Sequence, residues 1–222
     1  MGGGDYTKRL ENCVKQMLEP IKDVPFNLVV ETLSGKKVLP FDFKSVVDKK
    51  LLNALEKVAV IAGRLINKKG IVSKRANEVG NYIEEHVKEA LGRLSLKPGV
   101  PSGKSGRKKA AGYPDILFWL DDKPAYLECK TYNVENLDTT QRSFYFSPSD
   151  DFKVVYDAHH FVISYEMYVS GTKNRTDVYK AKNWKILSLE TLSVDVKHEF
   201  NSDNKRLYSG KDGALLLKEG EV

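Results

Sequence analysis

Two short apolar segments near the middle of the chain constrain its fold more than any other feature of the sequence. Residues 115–120 and 125–131 each have the length of a strand, and only the linker Asp-Asp-Lys-Pro separates them. Segments this close in sequence pair most readily as an antiparallel hairpin. The sequence therefore predicts a β-hairpin over residues 115–131.

Three charged side chains interrupt this apolar hairpin. Because side chains alternate between the two faces of a strand, Glu128 and Lys130 share one face. A turn centred on residues 122–123 places Lys130 directly opposite Asp115, and opposed residues lie on the same face. The sequence therefore predicts that Asp115, Glu128 and Lys130 converge on one face of the hairpin.

Two carboxylates and one ammonium suit the hydrolysis of a phosphodiester. A hard cation such as Mg²⁺ takes oxygen ligands, neutralises the phosphate and lowers the pKa of a bound water. Asp115 and Glu128 are candidate ligands, and Lys130 can hold or deprotonate the attacking water. A Pro-Asp or a Glu-x-Lys alone is usually a solvated surface pattern. Their combination on strands this apolar favours a catalytic site.

The pattern Pro114-Asp115, then twelve residues, then Glu128-Cys129-Lys130 resembles the signature of the PD-(D/E)xK nuclease superfamily. This superfamily includes most type II restriction endonucleases. The resemblance implies an α/β fold, with a restriction-endonuclease-like core in which helices flank a central mixed β-sheet. The first strand of that core has no clear counterpart in the sequence. The resemblance also implies that Asp115, Glu128 and Lys130 are catalytic, with Mg²⁺ as the cofactor and Mn²⁺ as its substitute.

In the same superfamily, a glutamate from the preceding helix often completes the metal site. Apolar residues recur at helical spacing over residues 76–94, which predicts an amphipathic helix with Ser73 as its N-cap. Glu85 projects from the polar side of this helix, whereas Glu84 lies on the flank of the apolar stripe. Glu84 is therefore the candidate third ligand and catalytic carboxylate. The alternative is a boundary carboxylate paired to a lysine.

Basic and polar residues on both sides of the hairpin are candidates for contacts with DNA. Lysine and arginine bind phosphates, and glutamine and arginine suit the bidentate reading of adenine and guanine edges. The candidates are Lys104, Arg107, Lys108 and Lys109 before the hairpin, and Gln141, Arg142 and Ser143 after it. The alternative for each group is a solvated surface loop. Residues 99–105 resemble a Walker A loop but are one residue short and follow a helix, so we expect no nucleotide cofactor.

The rest of the chain gives weaker signals. Helical spacing predicts a helix over residues 51–66, and the apolar run at residues 26–30 predicts a strand. We expect a short helix over residues 147–158 and strands near residues 161–169 and 178–187.

Size and composition fit this interpretation. The 222 residues suit a catalytic core over residues 71–222 with a mainly helical annex over residues 1–70, which serves dimerisation or DNA contacts. The net charge of +6 favours a polyanionic partner, although only weakly. No apolar run approaches the ~20 residues that span a bilayer. We therefore expect no membrane anchor. The two cysteines, Cys13 and Cys129, are far apart in sequence and predict no disulfide framework, so we expect a cytoplasmic protein.

The sequence thus predicts a type II restriction-like endonuclease that cuts double-stranded DNA at a specific, palindromic site. The resemblance implies 5′-phosphate and 3′-hydroxyl ends, and the size of the chain together with the prevalence of two-fold dimers favours a homodimer. A repair or recombination nuclease that recognises a mismatch or junction is an alternative on the same core. The other alternative is a DNA-binding module without catalysis.

Overall fold

The computed structural model describes three stretches of the chain, residues 3–106, 112–136 and 151–196. The chain divides into two compact units. The larger unit, Pro25–Ser193, contains the predicted hairpin. The smaller unit contains the described residues near the two ends of the chain, within Met1–Val24 and Val194–Val222. Within the described stretches, no helix is both long enough and apolar enough to cross a membrane.

The described helices are α1 (Gly3–Leu18), α2 (Phe26–Ser34), α3 (Val46–Lys69) and α4 (Gly80–Arg93). The described strands are β1 (Ile21–Pro25), β2 (Ile71–Ser73), β3 (Ile116–Leu120), β4 (Lys123–Tyr132), β5 (His159–Lys173), β6 (Thr176–Ser188) and β7 (Ser193–Val196). Two 3₁₀ turns lie at Ala76–Glu78 and Val134–Asn136.

Five of these strands form one mixed sheet in the order β2-β6-β5-β4-β3. β4 and β5 run parallel, and the other neighbouring pairs run antiparallel. β1 and β7 form a separate two-stranded sheet. A central mixed sheet flanked by helices confirms the predicted restriction-endonuclease-like α/β class.

The two faces of the central sheet differ in chemistry. We call one the helix face, because α3 and α4 pack against it through a single hydrophobic core. The side chains that β3, β4 and β5 contribute to the helix face are Ile116, Phe118, Ala125, Leu127, Cys129, Phe161, Ile163 and Tyr165. We call the other the carboxylate face, which consists of Tyr126, Glu128 and Lys130 from β4 with His160, Val162 and Ser164 from β5. The helix face thus holds the core, and the carboxylate face holds the charged side chains.

The turn of the hairpin lies one residue earlier than the sequence predicts. β3 ends at Leu120 and β4 begins at Lys123, so the turn consists of Asp121 and Asp122. Both aspartates have positive φ angles, 48° and 62°. Two successive residues in this region are typical of the type I′ turn, which matches the twist of an antiparallel hairpin. Aspartate tolerates such a conformation better than most residues.

This turn changes the predicted register. Ile116 pairs with Leu127, and the same register continued by one residue brings Asp115 opposite Glu128. The predicted pairing of Asp115 with Lys130 is therefore wrong by two residues. Asp115, Glu128 and Lys130 still share one face, because side chains alternate with a period of two and a shift of two residues leaves every side chain on its original face.

Three local predictions are also wrong. Residues 26–30 begin helix α2, because a short apolar run fits a buried helix as well as a strand. Ser73 ends β2 and donates its hydroxyl to the carbonyl of Arg75, and α4 begins only at Gly80. Residues 151–158 are irregular, whereas the sequence predicted the second half of a helix there.

An extended segment with one β-bridge, which the sequence did not indicate, flanks the hairpin. Gly99 and Leu117 exchange two backbone hydrogen bonds, of 2.7 and 3.0 Å. The N–H of Trp119 donates to the carbonyl of Leu96 at 2.9 Å. The chain that follows α4 therefore protects the outer edge of β3 before it returns to the hairpin.

Candidate active site

Asp115 and Glu128 lie side by side on neighbouring strands. Asp115 directly precedes β3, and Glu128 lies in the middle of β4. The Asp115 Oδ2 atom accepts a hydrogen bond of 2.8 Å from the backbone N–H of Cys129, which fixes this carboxylate against β4. Glu128 is only 3% exposed. The structure therefore brings the two predicted carboxylates together, with Glu128 buried and Asp115 half-buried.

Lys130 completes the predicted trio. Its Nζ atom donates a hydrogen bond of 2.7 Å to Oε1 of Glu128, and its side chain remains 30% exposed. The other carboxylate oxygen of Glu128, Oε2, is buried and has no hydrogen-bond partner within the described stretches. A buried oxygen without a partner loses its hydration without compensation, which is unusual in a folded protein.

The protonation of the two carboxylates follows from this arrangement. The pKa of Glu128 is raised to about 7, mainly by burial and then by the neighbouring charge of Asp115, against the opposing effect of Lys130. Burial also raises the pKa of Asp115, although the hydrogen bond from Cys129 and the charge of Lys130 lower it. Two neighbouring carboxylates shielded from water are stabilised by a cation placed between them.

The residues present fit a magnesium ion. In the described part of the chain, no group of three or more His, Cys, Asp or Glu side chains could by itself hold a metal ion. Mg²⁺ does not require such a group, because it usually binds one or two carboxylates and completes its shell with waters and substrate oxygens. Asp115 and Glu128 supply these two carboxylates, and the unpartnered Oε2 of Glu128 is an oxygen that such a cation would satisfy.

Glu84 lies near this pair but is engaged elsewhere. It is half-buried on α4 and forms an ion pair with Lys88, one turn along the same helix. Its charge nevertheless raises the pKa of Asp115, so its field reaches the hairpin carboxylates. The lysine partner matches the alternative that the sequence left open, while the role of Glu84 as a third ligand stays a prediction. Glu85 is exposed, as the helical periodicity predicted.

Lys153 is the residue that the sequence analysis missed. Lys153 is 4% exposed. Its ammonium donates hydrogen bonds to the carbonyl oxygens of Gly112 and Pro114, in the segment that precedes Asp115. One local signal could have indicated it. Lys153 lies between Phe152 and Val154 in an otherwise apolar run, and a lysine there is unusual unless its charge has a buried partner.

Aromatic side chains fill the carboxylate face next to Glu128. Tyr113 Oη and His160 Nδ1 are hydrogen-bonded at 2.5 Å, and the rings of Phe26 and Tyr126 pack against His160. His160 is 1% exposed, and burial lowers its pKa to about 3. This imidazole is therefore neutral at physiological pH, and it belongs to the packing behind the carboxylates.

Of the predicted DNA contacts, only Lys104 lies within the described residues. It is exposed on the loop that precedes the hairpin, where a phosphate could reach it. Arg107, Lys108, Lys109, Gln141, Arg142 and Ser143 lie outside the described residues. Their contacts with DNA stay predictions.

Comparisons with known proteins identify the family to which the chain is similar. The model of the type II restriction enzyme MjaV family matches residues 20–211. The type II restriction enzyme MjaV of Methanocaldococcus jannaschii is 36% identical over an alignment of 235 residues, which covers 99% of each chain. No solved structure matches the chain.

Proposed function

Since the chain belongs to the type II restriction enzyme MjaV family and is a restriction endonuclease, we propose a specific substrate and cofactor for it. The protein cuts double-stranded DNA at a specific palindromic site, with Mg²⁺ as its cofactor. Mn²⁺ substitutes for Mg²⁺, and the products carry 5′-phosphate and 3′-hydroxyl ends. The site of action is the cytoplasm, which agrees with the two free cysteines. Family membership favours restriction over the two alternatives, a repair nuclease and a DNA-binding module without catalysis.

The pair formed by Asp115 and Glu128 supports this proposal most directly. Glu128 is buried and Asp115 is half-buried, the charge of Asp115 raises the pKa of Glu128, and Glu128 Oε2 has no hydrogen-bond partner within the described residues. Such an arrangement is unfavourable in a protein that only needs to fold. It is useful in an enzyme that binds a divalent cation next to a phosphate.

Each residue then has a distinct role. Asp115 and Glu128 would hold the cation, which when bound would neutralise the scissile phosphate and lower the pKa of the attacking water. Lys130 lies beside Glu128 and remains partly exposed, so its ammonium can hold the attacking water beside the phosphorus atom. Glu84 contributes a third negative charge from α4, and Lys88 holds its side chain at the margin of the site.

DNA contacts and assembly follow from the same proposal. The basic loop that contains Lys104 binds phosphates next to the hairpin, and residues 141–143 read base edges. One chain carries one copy of the trio, so two chains are needed to cut both strands in one binding event. Closed two-fold dimers are the commonest oligomers, and a two-fold protein on DNA reads a palindrome. A homodimer therefore fits the proposed substrate.

A plasmid cleavage assay tests the activity. The wild-type protein is incubated with a large plasmid and Mg²⁺, and the products are separated by size. We expect discrete bands with Mg²⁺ or Mn²⁺, no cleavage in EDTA, and DNA binding without cleavage in Ca²⁺. Full activity in EDTA contradicts the metal assignment, and a smear without bands contradicts site specificity.

Sedimentation at micromolar concentration tests the assembly. We expect a dimer in solution and simultaneous cleavage of both strands of a supercoiled plasmid. A strict monomer that nicks one strand, or that cuts an asymmetric site, contradicts the proposed dimer and supports the repair-nuclease alternative.

A further inference from the structure

Lys153 places a buried positive charge directly behind the start of β3. Its ammonium donates to the carbonyl oxygen of Pro114 at 2.9 Å and to that of Gly112. These carbonyls lie one and three residues before Asp115. The backbone segment that leads into Asp115 is therefore held by a side chain from a distant part of the sequence.

A buried ammonium is costly unless its surroundings compensate for the lost hydration. Burial lowers the pKa of Lys153, and the charges of Asp115, Glu128 and Glu84 raise it. Two carbonyl dipoles and three carboxylates thus stabilise the cation. No other described lysine is as deeply buried as Lys153.

The segment that carries Lys153 is also held in place two residues before Lys153, at Asp151. Asp151 accepts hydrogen bonds from the backbone N–H of Ser105 at 2.9 Å and from its hydroxyl at 2.7 Å. Gly103 allows this approach, because a Cβ atom there would lie 2.2 Å from Asp151 Oδ1 and 2.7 Å from the Asp151 carbonyl oxygen. A chain of contacts thus runs from the loop at residues 103–105 through Asp151 and Lys153 to the backbone before the hairpin.

We propose that Lys153 is a positioning residue for DNA cleavage, which fixes the Gly112 and Pro114 carbonyls and thereby sets the Asp115 carboxylate against Glu128. This inference rests on the proposed function. Lys153 does not need to touch the substrate. Its effect passes through the backbone to Asp115, whose placement decides whether the two carboxylates can share a cation. A misplacement of about 1 Å at a reacting centre can cost about 10²-fold in rate.

The test compares Lys153→Met with wild-type protein. Methionine keeps an unbranched apolar stem but cannot donate to the two carbonyls. Four quantities are measured: the DNA dissociation constant in Ca²⁺, the single-turnover cleavage rate at saturating protein with Mg²⁺, the affinity of the free protein for Mn²⁺ alone, and the midpoint of unfolding. Lys57→Met is the matched control, since Lys57 is exposed on α3, which packs against the helix face.

We expect Lys153→Met to cleave about 10²-fold more slowly at saturation and to bind Mn²⁺ about tenfold more weakly. Its DNA affinity in Ca²⁺ should stay within about threefold of wild type, because the Lys153 ammonium is buried against two backbone carbonyls. Lys57→Met should match wild type in all four measurements. A loss of DNA affinity in Ca²⁺ together with a wild-type cleavage rate at saturation would instead mark Lys153 as a DNA contact and overturn the inference.

Ser105→Ala keeps the inference testable if Lys153→Met does not fold. Ser105 is exposed, and the substitution removes its hydroxyl hydrogen bond to Asp151 but keeps the bond from its backbone N–H. We expect about a threefold loss of cleavage rate with unchanged DNA affinity, which corresponds to one weakened hydrogen bond. Wild-type rates in Ser105→Ala, or in a folded Lys153→Met, overturn the inference. If wild-type protein neither cuts DNA nor binds Mn²⁺, the proposed function itself fails.

Discussion

The two faces of β4 are buried to the same extent but have opposite chemistry. On the helix face, Leu127 and Cys129 are 0% and 6% exposed, and they pack against helices. On the carboxylate face, Tyr126 and Glu128 are 0% and 3% exposed. Burial alone therefore does not distinguish a core residue from a residue of the site. The distinction comes from what surrounds each side chain.

The energetic consequences of the two faces differ accordingly. Each apolar side chain on the helix face stabilises the fold in proportion to the apolar area removed from water, about 25 cal/mol per Å². Glu128 instead loses hydration, is repelled by Asp115, and leaves one oxygen without a hydrogen bond within the described residues. Neighbouring residues of β4 thus serve different purposes, one face stabilising the fold and the other forming the candidate site. Substitutions on the helix face should therefore change stability, and substitutions on the carboxylate face should change the cleavage rate.

The largest expected effect is on catalysis, from the carboxylate face. Asp115→Asn, Glu128→Gln and Lys130→Ala should each lower the cleavage rate by ~10²-fold or more, equivalent to about 3 kcal/mol or more of transition-state stabilisation. The free energy of unfolding should not fall in Glu128→Gln, because the substitution removes a buried charge. Rates are measured in Mg²⁺ and unfolding in EDTA. Near-wild-type cleavage by any of the three variants would mean that its side chain has no part in the reaction.

A substitution on the helix face should lower stability and leave the cleavage rate nearly unchanged. Leu127→Ala removes a fully buried side chain beside Glu128 and should lower the free energy of unfolding by about 3 kcal/mol. Cleavage by the folded protein, measured well below its melting temperature, should stay within about threefold of wild type. Denaturant unfolding and single-turnover rates on one preparation check both statements. A large rate loss without a stability loss would show that the two faces are not independent.

The pH dependence of stability should sharpen the same contrast. Since the pKa of Glu128 is raised from 4.5 to about 7, folded protein binds a proton that unfolded protein releases between these values. This stabilisation is complete below pH 4.5 and is lost as the pH rises through 7, by up to about 1.4 kcal/mol per pH unit. Metal-free wild type should therefore lose stability relative to Glu128→Gln over this window.

Urea unfolding of both proteins in EDTA, at about pH 5 and about pH 8, measures this difference. The comparison with Glu128→Gln is necessary because His160 acts in the opposite direction. Its pKa is lowered to about 3, so His160 costs stability as the pH falls below 6.5, in both proteins alike. Mn²⁺ should stabilise wild type at the higher pH more than it stabilises the variant. A pH-independent difference between the two proteins contradicts the buried-carboxylate interpretation.

The smallest expected effect is at the margin between helix and sheet. Glu84→Gln should lower the cleavage rate by about tenfold, because Glu84 acts on the site from the flank of α4 and is already paired with Lys88. Glu85→Gln is the matched control on the same helix and should change the rate by less than about twofold. Equal rates for the two variants would assign Glu84 a structural role only.

The period of two along a strand explains why the sequence was enough to assemble the trio. Asp115, Glu128 and Lys130 share a face in the structure even though the predicted register was wrong by two residues. Any even shift leaves the faces unchanged. The register itself depends on the positive φ angles of Asp121 and Asp122, and composition alone does not fix such angles. The helical periodicity of α3 and α4 was readable for the same reason, since a long repeating pattern tolerates local errors.

Only the tertiary structure decided the surroundings of the trio. Lys153 reaches Pro114 across 39 residues, and no local pattern encodes a contact between a lysine in an apolar run and a backbone carbonyl so distant in sequence. The short apolar run that begins α2 fitted a strand equally well, and packing selected the helix. The sequence by itself determined which side chains share a face, because alternation is a local property of the backbone. The fold decided how those side chains are buried, paired and held, because these properties arise from long-range contacts.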